Sequence, residues 1–360
     1  MTQQVSVKPR TRLFFLDNLR IYLTILVILH HDALAYGGAG SWGIMDPGVD
    51  EISPIIFTIF NAVNQSYFMS AFFLLAGYFT PRSLERKGAG TFLVDRLIRL
   101  GIPLLVYTTL IVNINQFILG KFAYGVPFHV SLGYEAGHLW FLQALLILAL
   151  VYVVYKAIAG RNGENSPFQV YRDRFPPDVA LLLSIVVLGA VSYAVRLRFP
   201  VGVWFLEVQP GHFAHYVFSF FVGILAYRGD WFGRLPRAQA RRWGFAAIFI
   251  FLLFFVISVL GGVLEGDENL AKFLGGPHWQ SVAYSIWESA MLVAVVVFLL
   301  YFFRERLSKA GPLARSMAAN VYTAYIIHQT ILLLLHSLGL KIDIPTALKF
   351  VIVGLIAVPL

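Results

Sequence analysis

The chain has 360 residues, of which 58% are hydrophobic, 16% are aromatic and only 13% are charged. Soluble proteins carry about 25% charged residues, so this composition excludes an ordinary soluble domain and indicates a protein that uses a lipid bilayer as part of its solvent. The sequence has no cysteine, which excludes a disulfide scaffold, a cysteine nucleophile and cysteine–metal sites. The formal net charge of +9 must be explained by where the charges lie.

Apolar segments close to the length of about 20 residues that crosses a hydrocarbon core recur along the chain. They cover residues 13–36, 53–79, 92–118, 138–158, 178–196, 212–227, 243–262, 281–302, 318–338 and 346–360. We therefore expect an all-α, polytopic integral membrane protein with about ten transmembrane helices, forming a single domain over residues 1–360. The last segment is short and has no polar cap, so either it does not span or it continues in a longer parent chain, and we favour continuation.

The Lys and Arg residues divide unevenly between alternate loops. Nineteen of the 28 lie in the N-terminal segment and in every second loop after it, five lie in the other loops, and four lie within the predicted spans. The positive-inside rule then places the N-terminus in the cytoplasm. Because the positive charge is spread over several loops, its ordinary role is orientation, and we expect no nucleic-acid partner.

The first predicted helix carries ionisable side chains at membrane depth, where they are costly and usually face a protein or water-filled interior. Arg20 and His31 are eleven residues apart, so they differ by about 20° around the helix and lie about 16 Å apart along it. Asp17 and Thr24 fall on the same face. This face either holds a simple Asp17–Arg20 pair and an interfacial histidine, or contacts the two ends of one long ligand.

The segment 16–20, Leu-Asp-Asn-Leu-Arg, with His31 eleven residues after its arginine, resembles the opening of the membrane acyltransferase 3 family. Further segments that resemble the family follow in order at residues 72–79, 96–103, 138–142, 220–225 and 325–329. Ala76 stands where the family commonly has Ser, which argues against a polar role at that position. The resemblance covers most of the chain.

Members of this family are bacterial inner-membrane enzymes that O-acylate glycans, including a glucan-succinylating branch. The resemblance implies a ten-helix core in the bacterial inner (plasma) membrane, with acyl-CoA as a cytoplasmic co-substrate and no permanently bound cofactor. It also implies transfer of an acyl group of the acetyl or succinyl class to a hydroxyl of an extracytoplasmic glycan or glycolipid. The motif histidine maps onto His31, and the motif arginine maps onto Arg20.

Acyl transfer needs one group that deprotonates the hydroxyl, others that stabilise the oxyanion, and others that hold the donor. Imidazole titrates near neutrality, so His31 is the candidate catalytic residue, either as a general base or as a transient acyl carrier. A carboxylate partner for His31 must come from another helix, and Glu207 is the candidate. Asp17 and His328 are candidate supporting residues, although His328 is equally well explained as a hydrogen-bonded core histidine.

Binding of the donor requires cations for its phosphates, and the planar fork of arginine suits phosphate. Arg96 and Arg99 are three residues apart and are expected to share one helix face, whereas Arg82 is better explained by topology alone. The candidate acyl-CoA-binding residues are Arg20, Arg82, Arg96 and Arg99.

The acceptor is expected on the opposite side of the membrane, where carboxylates and aromatic faces suit sugars. The candidate acceptor-side residues are His138, Trp140, Gln143 and Glu207, although an interfacial Trp usually belongs to the aromatic belt. His212 and His215 lie within one turn, but no third ligand is evident, so we expect no metal site. Glu288 is an intramembrane acid without an assignable partner.

The main alternative is a proton-coupled secondary transporter or exporter that uses the buried Arg, His and Glu residues. We see neither an internal repeat nor a pair of broken helices, which are typical of transporters. Release of CoA that depends on a glycan would separate the two functions.

Overall fold

The computed structural model describes residues 13–159 and 174–360, and these form helices with no β-strand beyond one isolated bridge. We label the principal helices α1 to α10 in chain order. They are α1 (Phe14–Ala35), α2 (Ser53–Lys87), α3 (Ala89–Tyr124), α4 (Trp140–Ala159), α5 (Asp178–Arg196), α6 (Pro210–Gly229), α7 (Arg237–Leu260), α8 (Trp279–Arg306), α9 (Pro312–Gly339) and α10 (Thr346–Ala357). The bridge joins Phe205 to Val208 in the connection before α6.

Every predicted apolar segment coincides with one of these helices, which confirms the all-α prediction. Seven helices in the described part of the chain are long and apolar enough to cross a membrane, namely α1, α3, α4, α5, α7, α8 and α9. Helix α2 is long but carries polar residues at Asn61, Asn64, Gln65 and Ser66, and α10 has only 12 residues. The structure therefore agrees with a polytopic membrane protein, while the count of ten spans and the cytoplasmic N-terminus stay predictions.

Helix α1 is the central element of the bundle. None of its residues is exposed, and it packs against α2, α8, α9 and α10. Polar groups on α1 therefore face other helices, as expected for ionisable residues at membrane depth. By contrast, α7 lies at the periphery and buries only Gln239, Ala240 and Trp243.

Helices α2 and α6 cross with their backbones in direct contact. A Cβ atom on Gly77 would lie 1.9 Å from the carbonyl oxygen of Phe220, and one on Gly223 would lie 2.1 Å from that of Leu74. Small residues at such a crossing allow close packing of helices that have no hydrophobic driving force between them. Two of the segments that resemble the acyltransferase family, 72–79 and 220–225, therefore meet each other here.

Helix α3 is irregular where the sequence predicts a regular span over residues 92–118. Three π-helical segments interrupt it, at Leu97–Gly101, Tyr107–Ile111 and Leu119–Tyr124. The first of these begins just after Arg96 and alters the helical phase, so Arg96 is half-buried while the Arg99 side chain is 69% exposed. The two arginines therefore differ in burial, and the expectation that they share one helix face stays a prediction.

Candidate functional site

His31 lies near the C-terminal end of α1, and its Nδ1 atom has two neighbours. Nδ1 lies 2.8 Å from the carbonyl oxygen of Val27 and 3.3 Å from Nε2 of His328 on α9. A carbonyl only accepts hydrogen bonds, so the network assigns the hydrogen of His31 to Nδ1. By the same logic, His328 donates its Nδ1 hydrogen to the carbonyl oxygen of Tyr325 at 2.7 Å, which leaves its Nε2 free to accept from His31.

The consequence is a fixed tautomer at His31. Its Nε2 carries the lone pair and has no hydrogen-bond partner among residues 13–159 and 174–360. The side chain is half-buried, and its ring centroid lies 5.4 Å from that of Trp42. An imidazole held in this way can accept a proton or an acyl group at Nε2. The structure thus gives His31 a histidine partner in place of the expected carboxylate.

His138 is buried beside His328, with ring centroids 4.6 Å apart. Its Nε2 lies 3.0 Å from the carbonyl oxygens of Tyr325 and Ile326, and its Nδ1 contacts the side-chain oxygen of Gln329. The Tyr325 hydroxyl in turn donates to the His138 carbonyl. His138 was predicted on the acceptor side, and the structure places it where it joins the start of α4 to α9 directly behind the His31–His328 pair.

The other three predicted acceptor-side residues lie in the first turn of α4 and in the connection before α6. Glu207 accepts a hydrogen bond from the backbone N–H of Ala136 at 3.1 Å, and Gln143 donates to the carbonyl oxygen of Leu206 at 3.0 Å. These two bonds join the connection before α6, which contains the Phe205–Val208 bridge, to the start of α4. Trp140 stacks on a neighbouring tyrosine of α6 with centroids 5.2 Å apart.

Arg20 is half-buried towards the other end of α1. Its Nη1 lies 3.6 Å from a carboxylate oxygen of Asp17, so the predicted i,i+3 pair is present, and its guanidinium lies 4.6 Å from the ring centroid of Phe79 on α2. Between Arg20 and His31, the Thr24 hydroxyl is buried without a hydrogen-bond partner. The face of α1 predicted from helical spacing therefore faces α2 and the bundle interior.

The remaining predicted donor-binding arginines differ in burial. Arg96 rests over the ring of Phe92 at 5.0 Å, and its Nε is buried without a hydrogen-bond partner. Arg99 forms an ion pair with Asp95 at 3.0 Å, and Arg82 is exposed. Arg20 and Arg96 are thus the two partly buried cations of the predicted set.

A buried ionic network was missed by the sequence analysis. Arg196 is completely buried at the end of α5 and contacts Glu288 of α8. Glu288 also lies 2.9 Å from Nδ1 of His212, and His215 contacts Ser289 at 3.0 Å. The signal was available, because a carboxylate at the depth of Glu288 requires a cation partner. No group of three residues placed to hold a metal ion occurs in the described part of the chain.

A second missed network holds the loop that follows α1. His336 of α9 lies 2.9 Å from a carboxylate oxygen of Asp32, and the Trp42 indole donates to the other ring nitrogen of His336 at 3.1 Å. Asp32 is adjacent to His31 in sequence but points to a different partner. Asp32 contacts His336, and His336 holds the Trp42 indole that packs beside His31.

Comparison with known proteins identifies the family. A family model described as an acyltransferase domain, that of acyltransferase 3, matches residues 13–360. Glucans biosynthesis protein C of Escherichia coli strain K12 is 30% identical over 170 residues, which covers 44% of this chain and 42% of the relative. The protein of the same name from Escherichia coli O1:K1 / APEC is 30% identical over 171 residues, with the same shares covered.

The aligned part spans less than half the length of these curated relatives. No solved structure shows significant similarity to this chain. The family match nonetheless covers nearly the whole sequence and agrees with the order of motifs and with the helical bundle. The chain belongs to the acyltransferase 3 family.

Proposed function

We propose that this protein transfers an acyl group of the acetyl or succinyl class from cytoplasmic acyl-CoA to a hydroxyl of an extracytoplasmic glycan or glycolipid. The observation that carries the proposal is the geometry of His31, whose Nδ1 is held by Val27 and His328 while Nε2 is left without a partner in the described structure. The relatives named for glucan biosynthesis favour a glucan as the acceptor.

The proposal includes an orientation in the bilayer. With ten spans in a bacterial inner membrane and a cytoplasmic N-terminus, Arg20 lies in the cytoplasmic half of α1 and His31 lies near the outer surface. The distribution of Lys and Arg between alternate loops supports this orientation. The acceptor then approaches at the end of the bundle where Glu207 and Gln143 tie two loops together.

The donor lies along α1 in this scheme. Arg20 and His31 are about 16 Å apart along the helix, and the unpartnered hydroxyl of buried Thr24 lies between them. A pantetheine arm has about the length needed to run between the two residues. We assign the CoA phosphates to Arg20 and Arg96, whose guanidinium groups are partly buried. The more exposed Arg82 and Arg99 extend the same cationic region.

The chemistry follows from the lone pair on Nε2 of His31. As a general base, Nε2 takes the proton of the acceptor hydroxyl while the hydroxyl oxygen attacks the thioester carbonyl carbon, and the C–S bond then breaks. The CoA thiolate leaves and takes the proton back from the imidazolium. As an acyl carrier, Nε2 itself attacks the thioester carbonyl carbon, the C–S bond breaks, and CoA leaves as the thiolate beside an acylimidazolium ring. The acceptor hydroxyl then attacks the acyl carbon, the bond from that carbon to Nε2 breaks, and the hydroxyl proton neutralises the thiolate, which leaves a neutral imidazole.

The test uses the purified protein in lipid nanodiscs with radiolabelled succinyl-CoA or acetyl-CoA and a β-glucan oligosaccharide. We expect labelled glycan and a glycan-dependent release of CoA. His31→Ala should lose both while retaining its thermal unfolding temperature, and His30→Ala, which removes the neighbouring imidazole, should retain both. Full transfer by His31→Ala would contradict the role of His31, and movement of the label across a membrane without CoA release would favour the transporter. Label on His31 in the absence of glycan would identify the acyl carrier.

A further inference from the structure

A groove runs along the peripheral helix α7, away from the candidate active site. It has a volume of about 470 Å³ and lies between α7 and α8, and one residue of α2 completes its wall. Its lining is apolar apart from one charged residue, Arg241, in the first turns of α7. Val63 and Met291 contribute to the lining from α2 and α8.

The shape of the groove follows from the small residues of α7. Gly244 and Ala247 line it on α7, and a Cβ atom on Gly244 would lie 2.6 Å from the ring of Phe298, so glycine is needed for this approach to α8. From Arg241 the lining extends to Phe251, ten residues further along the chain. At 1.5 Å per residue this is about 15 Å, roughly half of a hydrocarbon core. The groove is therefore elongated along the axis of α7.

Arg241 is exposed and has no hydrogen-bond or ion-pair partner in the described part of the chain. Its neighbour Arg242 is different, because it forms an ion pair with Asp178 at 2.6 Å. A guanidinium with an open fork matches the geometry of a phosphate group. Here that cation stands at the end of an elongated apolar groove, which is the arrangement of charge and tail found in an anionic amphiphile.

We propose that this groove binds an anionic phospholipid, with the phosphate group on Arg241 and one acyl chain between α7 and α8. A lipid is favoured because α7 faces the bilayer: Phe245 and Ile248, which line the groove, are 68% and 59% exposed. None of the groove residues hydrogen-bonds to the His31–His328 pair, so the site is separate from the proposed acyl transfer and stands independently of it.

The test is native mass spectrometry of the detergent-solubilised full chain, titrated with phosphatidylglycerol or phosphatidylcholine of identical acyl chains. The wild-type protein should bind phosphatidylglycerol more tightly, by about fivefold, as expected for one cation near a headgroup. Arg241→Ala should lower the affinity of the protein for phosphatidylglycerol to its affinity for phosphatidylcholine. Ala247→Phe, which fills the groove but keeps the cation, should weaken both lipids.

The control is Arg237→Ala, because Arg237 is an exposed arginine one turn earlier on α7 that does not line the groove. It should bind both lipids like the wild type. An equal loss of affinity for phosphatidylglycerol in Arg237→Ala and Arg241→Ala would show that the lipid is attracted to the positive surface in general, and it would overturn the proposal. Unchanged binding in Ala247→Phe would overturn the placement of the acyl chain. Competition by inorganic phosphate alone would show a phosphate site without a lipid tail.

Discussion

Nδ1 of His31 on α1 lies 3.3 Å from Nε2 of His328 on α9, although the two residues are 297 positions apart in the chain. His328 is itself fixed by a hydrogen bond from its Nδ1 to the Tyr325 carbonyl. The pair therefore works as an oriented donor and acceptor, in which His328 supplies the lone pair that favours the Nδ1–H tautomer of His31. In a Ser-His-Asp triad a carboxylate holds the tautomer of the histidine in the same way.

We expect His328→Ala to lower kcat of acyl transfer by about tenfold or more, because the base-competent tautomer of His31 loses one of its two acceptors. His328→Gln places a side-chain carbonyl near the position of Nε2 and should recover part of the rate. The measurement is the pH dependence of kcat in the nanodisc assay. A purely structural role for His328 would lower the amount of folded protein and leave the shape of the pH profile unchanged, which would contradict this assignment.

Arg20→Ala should raise KM for acyl-CoA by about tenfold, since hydrogen bonds to charged groups contribute about 1.5–3 kcal/mol. KM for the glycan should not change, because Arg20 lies near the opposite end of α1 from His31. Arg20→Lys keeps the charge but loses the planar fork, so its KM for acyl-CoA should lie between that of the wild type and that of Arg20→Ala. Steady-state kinetics with each substrate varied in turn checks this. An unchanged KM for acyl-CoA in Arg20→Ala would remove Arg20 from the donor site.

The close crossing of α2 and α6 predicts that replacing its glycines with alanine lowers the stability of the protein. Gly77→Ala and Gly223→Ala each drive a methyl group into a backbone carbonyl of the other helix, so we expect losses of about 1–3 kcal/mol or more in the free energy of unfolding. Gly90→Ala is the matched control, because a Cβ atom there meets nothing within 4 Å. Thermal unfolding in detergent measures all three. Equal unfolding temperatures for Gly77→Ala and Gly90→Ala would contradict the observed crossing.

The buried ion pair predicts non-additive effects. Arg196→Met or Glu288→Met leaves an uncompensated charge in the bundle, so each should destabilise the protein by about 3–5 kcal/mol. The double substitution removes both charges and should cost less than the sum of the two single changes. A double-mutant cycle of thermal unfolding provides the measurement. Additive losses would show that the two side chains contribute separately.

The sequence by itself was enough to predict the all-helical class and to show that Arg20 and His31 share one face of α1. Hydrophobic runs of the right length identified the helices, because a bilayer requires every backbone polar group to be satisfied within its own segment. The spacing of Arg20 and His31 placed both on the interior side of α1, since helical periodicity depends only on position in the chain. The order of family-like segments then indicated acyl transfer, in agreement with the family match over residues 13–360.

Tertiary structure alone decided which residues meet. The partner of His31 is His328, and the partner of Glu288 is Arg196. These pairings depend on how helices far apart in sequence rotate and cross, and many rotations are compatible with the same apolar runs. Helical periodicity states which face of a segment is polar, but only packing against the other helices determines which polar group it faces.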